Sequence, residues 1–208
     1  MCRLLGLDFT LLAPPPVGNW GSATTPEEQA ARDTFLRLNP LGQVPVLVDP
    51  NTEDGTEVVL RDSAAIVTYL ARKYAPDSGW APTEALRAAH VAQWLSYSAH
   101  EVTNSLLKVR IALLFSWSIE PLSVDGALEA SRKVLAYLDE QLQAGEAGGQ
   151  DWLVQGQHPT LADVCVYPYV AFADGSSKGA IQLASYPAVS RWLARFAALP
   201  GYVAPPGL

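Results

Sequence analysis

The stretch LNPLGQVPVLVDPNTEDGTEVVLRDSAAIVTYLARKY, residues 38–74, joins a proline-entered strand, a turn-rich hairpin and a capped helix in that order. Pro45 constrains the geometry first. An X-Pro bond is the linkage at which the cis peptide lies only about 0.5–1 kcal/mol above trans, so Val44-Pro45 permits a sharp entry into the strand. A bend there leaves the amide and carbonyl of Val44 free to pair with an extended ligand as a short added strand. Residues 46–48 and 58–60 are apolar, mostly β-branched runs on either side of the turn formers DPNTEDGT, a pattern that predicts an antiparallel hairpin.

The helix after the hairpin has a start, a face and a stop. Asp62 and Ser63 are both good N-cap types, Ile66, Tyr69, Leu70 and Tyr74 follow with helical spacing, and Pro76 ends the run. A helix N-terminus offers unpaired N–H groups and the positive end of the macrodipole, so it suits a carboxylate. The Ser63 hydroxyl adds a donor, and the Asp62 carboxylate suits an ammonium group. Together they fit a ligand end that carries both charges, as a free amino acid terminus does. The same pair also reads as a plain helix cap.

This stretch resembles the glutathione-binding half of a cytosolic glutathione transferase. The segments RAAHVAQWLSYSAHE, DWLVQGQHPTLADVCVYPYVAFA and YPAVSRWLARFAALPGYV are similar to the helical domain of bacterial-type members. The resemblance implies an α+β chain, with a thioredoxin-like N-terminal domain over residues 1–76 and an all-helical C-terminal domain over residues 83–208. It implies that the main chain of Val44, bent at Pro45, pairs with the cysteinyl unit of glutathione. Ser63 and Asp62 would hold the γ-glutamyl end, and Gln43 would lie near the glycyl end. Asp62 stands where the family more often has glutamate. Glutathione would be the co-substrate with no bound cofactor, a small hydrophobic electrophile the second ligand, and a two-fold homodimer the assembly.

The chain opens MCRLLGLDFTLL, which resembles the last turn of the family's first helix and the strand after it, placed near residues 9–12. On that reading the first strand and most of the first helix are missing and the thioredoxin-like domain is incomplete. The serine, cysteine or tyrosine that stabilises the glutathione thiolate would be missing with them, which leaves the catalytic residue unassigned. That group matters because a thiol of pKa about 8.5 must be held as thiolate to attack well near neutrality. Cys2 is expected toward the C-terminal end of the helix remnant, where the macrodipole disfavours an anion, so it reads as a bystander. A lost strand would leave two unpaired sheet edges, and the first domain is expected to be the weaker one.

Composition removes several function classes. A chain of 208 residues with 49% apolar content and six Trp buries a sizeable core and fits one large or two small domains. A formal charge of −7 without any Lys/Arg run argues against nucleic-acid or anionic-membrane partners, which need concentrated positive charge. Cys2 and Cys165 give neither a disulfide framework nor a CxxC pair, which fits a reducing, cytoplasmic location. The opening LLGLDFTLLA is not read as a signal peptide, because Asp8 interrupts it, only Arg3 precedes it and Pro14, Pro15 and Pro16 follow. No apolar run is long enough to span a bilayer.

Residues 14–22 read as a Pro/Gly-bearing loop, and a short helix follows from Thr25 until Pro40 and Gly42. Residues 76–82 read as a linker. Beyond it a helical segment is expected from about residue 84 through 115, with a break or bend inside. Leu128, Leu135, Leu138 and Leu142 stripe a further helix expected to stop before Gly145. Thr160 and Asp163 have capping-box spacing, and residues 161–173 are apolar nearly all round, as a central buried helix bent at Pro168 would be. Asp163 therefore reads as a structural residue. The last helix starts at Pro187, buries Trp192, Leu193 and Phe196, and stops near Pro200.

His90, His100 and His158 lack ligand spacing, so no metal site is proposed. There is no Walker loop, no GxGxxG entering a helix and no GxSxG elbow. Tyr97, Glu101 and Asn104 are candidates for lining an electrophile cleft, although a solvated or dimer-facing helix surface is the favoured reading of them. Two functions remain. One is a transferase that adds the glutathione sulfur to an electrophile. The other is a non-catalytic binding or assembly module, or a truncated product of an enzyme gene.

Overall fold

Side-chain caps written into the sequence start most of the long elements. The computed structural model describes residues 1–12, 25–50, 52, 55–116 and 118–204. By contact these divide into two compact units, one of Met1–Leu7 with Ala71–Leu208 and one of Asp8–Leu70. The expected loop at residues 14–22 lies outside the described residues, as do parts of the hairpin turn at positions 51, 53 and 54.

In the unit Asp8–Leu70, α1 (Pro26–Leu38) begins at a complete capping box. The Thr25 hydroxyl accepts the Glu28 amide and the Glu28 carboxylate accepts the Thr25 amide, both at 3.2 Å, with Pro26 at the first helical position. Asn39 ends the helix and is only 2% exposed. Its Nδ2 donates to the Gln43 carbonyl at 2.7 Å and its Oδ1 accepts the Leu41 amide at 3.2 Å, so one buried side chain holds the loop that leads to Pro45. Gly42 makes the turn at φ 66°, a left-handed conformation that glycine adopts without a Cβ clash.

The hairpin forms as expected. β1 (Val46–Asp49) and β2 (Val58–Arg61) are antiparallel, with Val46 opposite Arg61 and Asp49 opposite Val58. α2 (Ser63–Tyr74) follows directly, and Ile66 and Leu70 on its predicted face are buried. Its Tyr69 hydroxyl donates to the buried Asp49 carboxylate at 2.8 Å. The strand expected near residues 9–12 is not formed. These residues join no ladder with another described segment, and Leu11 and Leu12 are 84% and 78% exposed. A strand exists only through a paired neighbour, and the sheet of the described residues has two strands.

The other unit opens with a 3₁₀ turn, Arg3–Leu5, closed by Gly6 at φ 65°. Cys2 precedes that turn instead of lying at the far end of a helix, a correction that follows from the chain making a single turn here. α3 (Ala85–Tyr97) is capped by Glu84, whose carboxylate accepts the Leu86 and Arg87 amides at 2.9 and 2.8 Å. The expected break in this segment is a ten-residue π-helical stretch, Ser98–Leu107, which runs on into α4 (Lys108–Leu114). Within the stretch the Thr103 hydroxyl donates to the Ser98 carbonyl five residues back, at 2.8 Å, and the Ser105 hydroxyl donates to the Glu101 carbonyl at 2.6 Å. Such back-bonding competes with the regular i→i−4 ladder.

α5 (Val124–Ala147) starts where the Ser123 hydroxyl accepts the Gly126 amide. It buries Leu135, Leu138 and Leu142 as the stripe predicts, and Val134 with them, while Leu128 is half-buried. It does not stop before Gly145. Glu146 on the extra turn accepts from Arg191 at 2.5 Å and Arg195 at 2.9 Å, so tertiary contacts carry the helix past the glycine.

α6 (Leu161–Ala171) packs against α3, the π-helical stretch and α8 (Pro187–Ala197), and is the central buried helix. It ends two residues earlier than expected, passing through Phe172 into the short α7 (Ala173–Ser176). α8 buries Ala188, Val189, Trp192 and Phe196, and leaves Leu193 half-buried. Its own N-cap residue, Tyr186, supplies no side-chain cap. Asp139 on α5 does so, accepting the Ala188 and Val189 amides at 2.8 and 2.9 Å.

Candidate functional site

Val46, the first residue of β1, pairs with Arg61, the last residue of β2. The chain entering the hairpin and the chain leaving it therefore meet at one end, with Val44-Pro45 beside Asp62-Ser63. Arg61 ties this end to the loop, its Nε donating to the Leu38 carbonyl at 2.5 Å. The Val44-Pro45 peptide is cis, as the sequence permits. Gln43, Val44 and Pro45 are exposed, and no hydrogen bond of the Val44 main chain to another described residue is present. The Gln43 carbonyl is already taken by Asn39.

Across the strand end, Asp62 has φ 81°, an uncommon conformation for any residue with a Cβ. Two bonds fix it. Its Oδ1 accepts the Ala65 amide and its carbonyl accepts the Ile66 amide, both at 3.0 Å, so Asp62 is the N-cap and Ser63 the first helical residue. One oxygen of the Asp62 carboxylate remains uncommitted among the described residues. Ser63, also exposed, presents its hydroxyl at the positive end of α2. The sequence-derived set Gln43, Val44, Pro45, Asp62 and Ser63 is thus gathered on one exposed edge of one unit. It carries unpaired main-chain groups, a carboxylate and a helix tip.

In the helical unit, Tyr97 and Glu101 line a recess of about 370 Å³ with Gln93, Trp94, His100 and Tyr137. Asn104 does not line it. The π-helical stretch turns Asn104 away from Glu101, because i→i+5 bonding adds a residue to each turn. Tyr137, forty positions along on α5, carries no sequence signal that would have found it. The three rings pack on one another, with centroids 5.4 Å apart for Trp94–Tyr97, 6.0 Å for Trp94–Tyr137 and 5.2 Å for Tyr97–Tyr137. The Trp94 indole N–H donates to the Leu153 carbonyl at 3.0 Å, which anchors the cluster. Burial first, then the neighbouring Tyr137 and Glu101, push the Tyr97 hydroxyl up to about 12, so it stays protonated.

Thr160 and Asp163 form the predicted capping box. The Asp163 carboxylate accepts the Thr160 amide at 2.8 Å, and beyond the local motif it accepts the Leu153 amide at 3.1 Å and the Trp192 indole N–H at 2.9 Å. It is fully buried, and burial pushes its pKa up against these donors. Among the described residues no three His, Cys, Asp or Glu side chains gather as a metal site. No helix of the described residues is long and apolar enough to cross a membrane.

The "Glutathione S-transferase, N-terminal domain" family matches residues 1–73, and the "Glutathione S-transferase, C-terminal domain" family matches residues 92–200. The chain belongs to the glutathione S-transferase family. A glutathione S-transferase of Clonostachys rogersoniana is 27% identical over 170 residues, which is 81% of this chain and 69% of that protein. A glutathione S-transferase crystal structure from Xanthobacter autotrophicus is 26% identical with a TM-score of 0.74, covering 99% of this chain and 88% of the other. Another, from Burkholderia graminis, is 25% identical with a TM-score of 0.72 over 96% of this chain and 78% of that one, and holds two glutathione molecules per subunit. As a member of that family, the chain has a thioredoxin-like N-terminal region and a helical C-terminal domain. The expected loss of the first strand and most of the first helix finds no support, because the N-terminal family match begins at residue 1 and runs through residue 73.

Proposed function

We propose that this glutathione S-transferase binds glutathione along the edge from Gln43 to Pro45 and at Asp62-Ser63, and transfers its sulfur to a small hydrophobic electrophile. The observation that carries this reading is the Val46–Arg61 register, which sets an exposed, unpaired main-chain segment beside a carboxylate and a helix N-terminus. The free Val44 amide and carbonyl match the cysteinyl unit, an extended dipeptide that pairs as an added strand. The γ-glutamyl end carries an ammonium and a carboxylate, which match Asp62 and Ser63 with the α2 dipole. The glycyl end then falls toward Gln43.

Tyr97 and Glu101 are the candidate electrophile contacts, supported by the recess they share; Asn104 lacks that support. No residue is assigned to thiolate stabilisation. The assembly we propose is a homodimer, and the compartment the cytoplasm, in keeping with Cys2 and Cys165 forming no disulfide. Neither metal nor resident cofactor enters this scheme.

Calorimetry with reduced glutathione, followed by a conjugation assay with a dinitrohalobenzene, tests the proposal. Saturable binding with turnover supports it in full. Binding without turnover selects a non-catalytic module, and absence of heat from natively folded protein rejects both. Light scattering after size exclusion reads the dimer.

A further inference from the structure

We infer that the recess between α3, the start of the π-helical stretch and α5 is a binding site for an organic ammonium cation. Its walls carry the argument. Trp94, Tyr97 and Tyr137 line it with three mutually packed rings, and aromatic faces attract cations through their quadrupole. Glu101 is the one carboxylate in the lining, and no lysine or arginine lines the recess. The Glu101 carboxylate makes no ion pair with a described residue, so its charge is available to a ligand. Tyr97, held protonated beside it, keeps a second negative charge out of the recess and offers a hydroxyl donor or acceptor.

The volume, about 370 Å³, exceeds what a trimethylammonium group fills, which leaves room for the rest of a small molecule. The site is also built. Trp94 is fixed by its bond to Leu153, and the π-helical stretch, a form found frequently at functional sites, begins one residue after Tyr97 and carries His100 and Glu101. If the recess is the electrophile pocket, a point that rests on the proposed function, the favoured electrophiles carry a cationic nitrogen. Binding of the cation itself does not depend on glutathione.

The test is calorimetric titration of the full chain, without glutathione, with choline and with its uncharged carbon isostere 3,3-dimethylbutan-1-ol. Choline should bind at least about tenfold tighter than the isostere, a margin in line with cation–π attraction reinforced by a partly exposed carboxylate. Glu101→Gln, at an exposed position, should erase most of that margin, and Tyr137→Leu should weaken choline about fivefold. Circular dichroism establishes that both variants are folded. Equal affinity for choline and its isostere, or choline affinity unchanged in E101Q, overturns the inference. Because glutathione is left out, failure here says nothing against glutathione binding, and glutathione can fail to bind while choline succeeds.

Discussion

At Asp62 the helix cap and the proposed glutathione contact fall on one residue. Its Oδ1 caps α2 through the Ala65 amide while the other oxygen is left for a ligand, and the backbone sits at φ 81°. Asparagine keeps the capping oxygen and tolerates the left-handed region, so Asp62→Asn removes charge without removing the cap. Stability should change by less than about 0.5 kcal/mol, while glutathione affinity falls about tenfold or more, the worth of a charge-assisted bond to an ammonium. Ser63→Ala removes one hydroxyl donor and should cost about 1 kcal/mol of binding with little effect on folding. Calorimetry and urea melts on both variants separate the roles. Loss of stability without loss of affinity would reduce Asp62-Ser63 to a cap. Asp62 was legible as a cap type and as a charge, because both belong to the residue itself. Its positive φ was not, because the strand end and the helix start impose it jointly.

Among the elements, α6 depends most on one side chain. Asp163 takes the Thr160 amide, the Leu153 amide and the Trp192 indole N–H inside a fully buried site. Asp163→Ala leaves all three donors without a partner in low dielectric and should cost about 3–5 kcal/mol in denaturant titrations. The pH dependence has a definite sign. Burial holds the folded pKa above the ordinary 3.8, so between those values the folded state binds more protons than the unfolded state. Stability from this group therefore falls as pH climbs from about 4 through the folded pKa, and is level above it. The slope in that window should be absent from Asp163→Asn. The Thr160–Asp163 box was readable because it closes within three residues, and Thr25 was legible as the start of α1, although its box with Glu28 was not singled out. The Asp163 bonds to Leu153 and Trp192, the Asp139 cap on α8 and the Glu146 hold on Arg191 and Arg195 join residues far apart in sequence. No local pattern encodes them. For the same reason the reach of α5 past Gly145 was missed, and the π-helical stretch was visible only as an expected break.

Across the whole molecule, the N-terminal turn groups with the helices. Gly201 explains how: at φ 78° it has no side chain, and a Cβ there would lie 2.4 Å from the Arg3 carbonyl oxygen. Gly201→Ala should cost about 1–3 kcal/mol in urea melts through that clash and the unfavourable φ, and should raise protease access to Met1–Leu7. The larger contrast is between the two units. In the described part of Asp8–Leu70 the buried apolar side chains are Ile66 and Leu70, whereas the other unit buries Leu135, Leu138, Leu161, Val166, Val170 and Trp192 almost completely. A two-stranded ladder is marginal without a covered face, and Val48 of β1 is 38% exposed. Local opening should therefore free the amides of β1 and β2 at lower free energy than those of α6. Native-state hydrogen exchange should show protection about a hundredfold lower in β1 and β2 than in α6, equivalent to about 3 kcal/mol. On the proposed function saturating glutathione binds the folded edge alone, so it should raise protection at Val46–Asp49 by the linkage factor 1 + [L]/Kd and leave α6 unchanged. Equal protection in the two units without ligand would show that the hairpin opens only with global unfolding, and that the weaker N-terminal unit expected from the sequence is not a property of this chain.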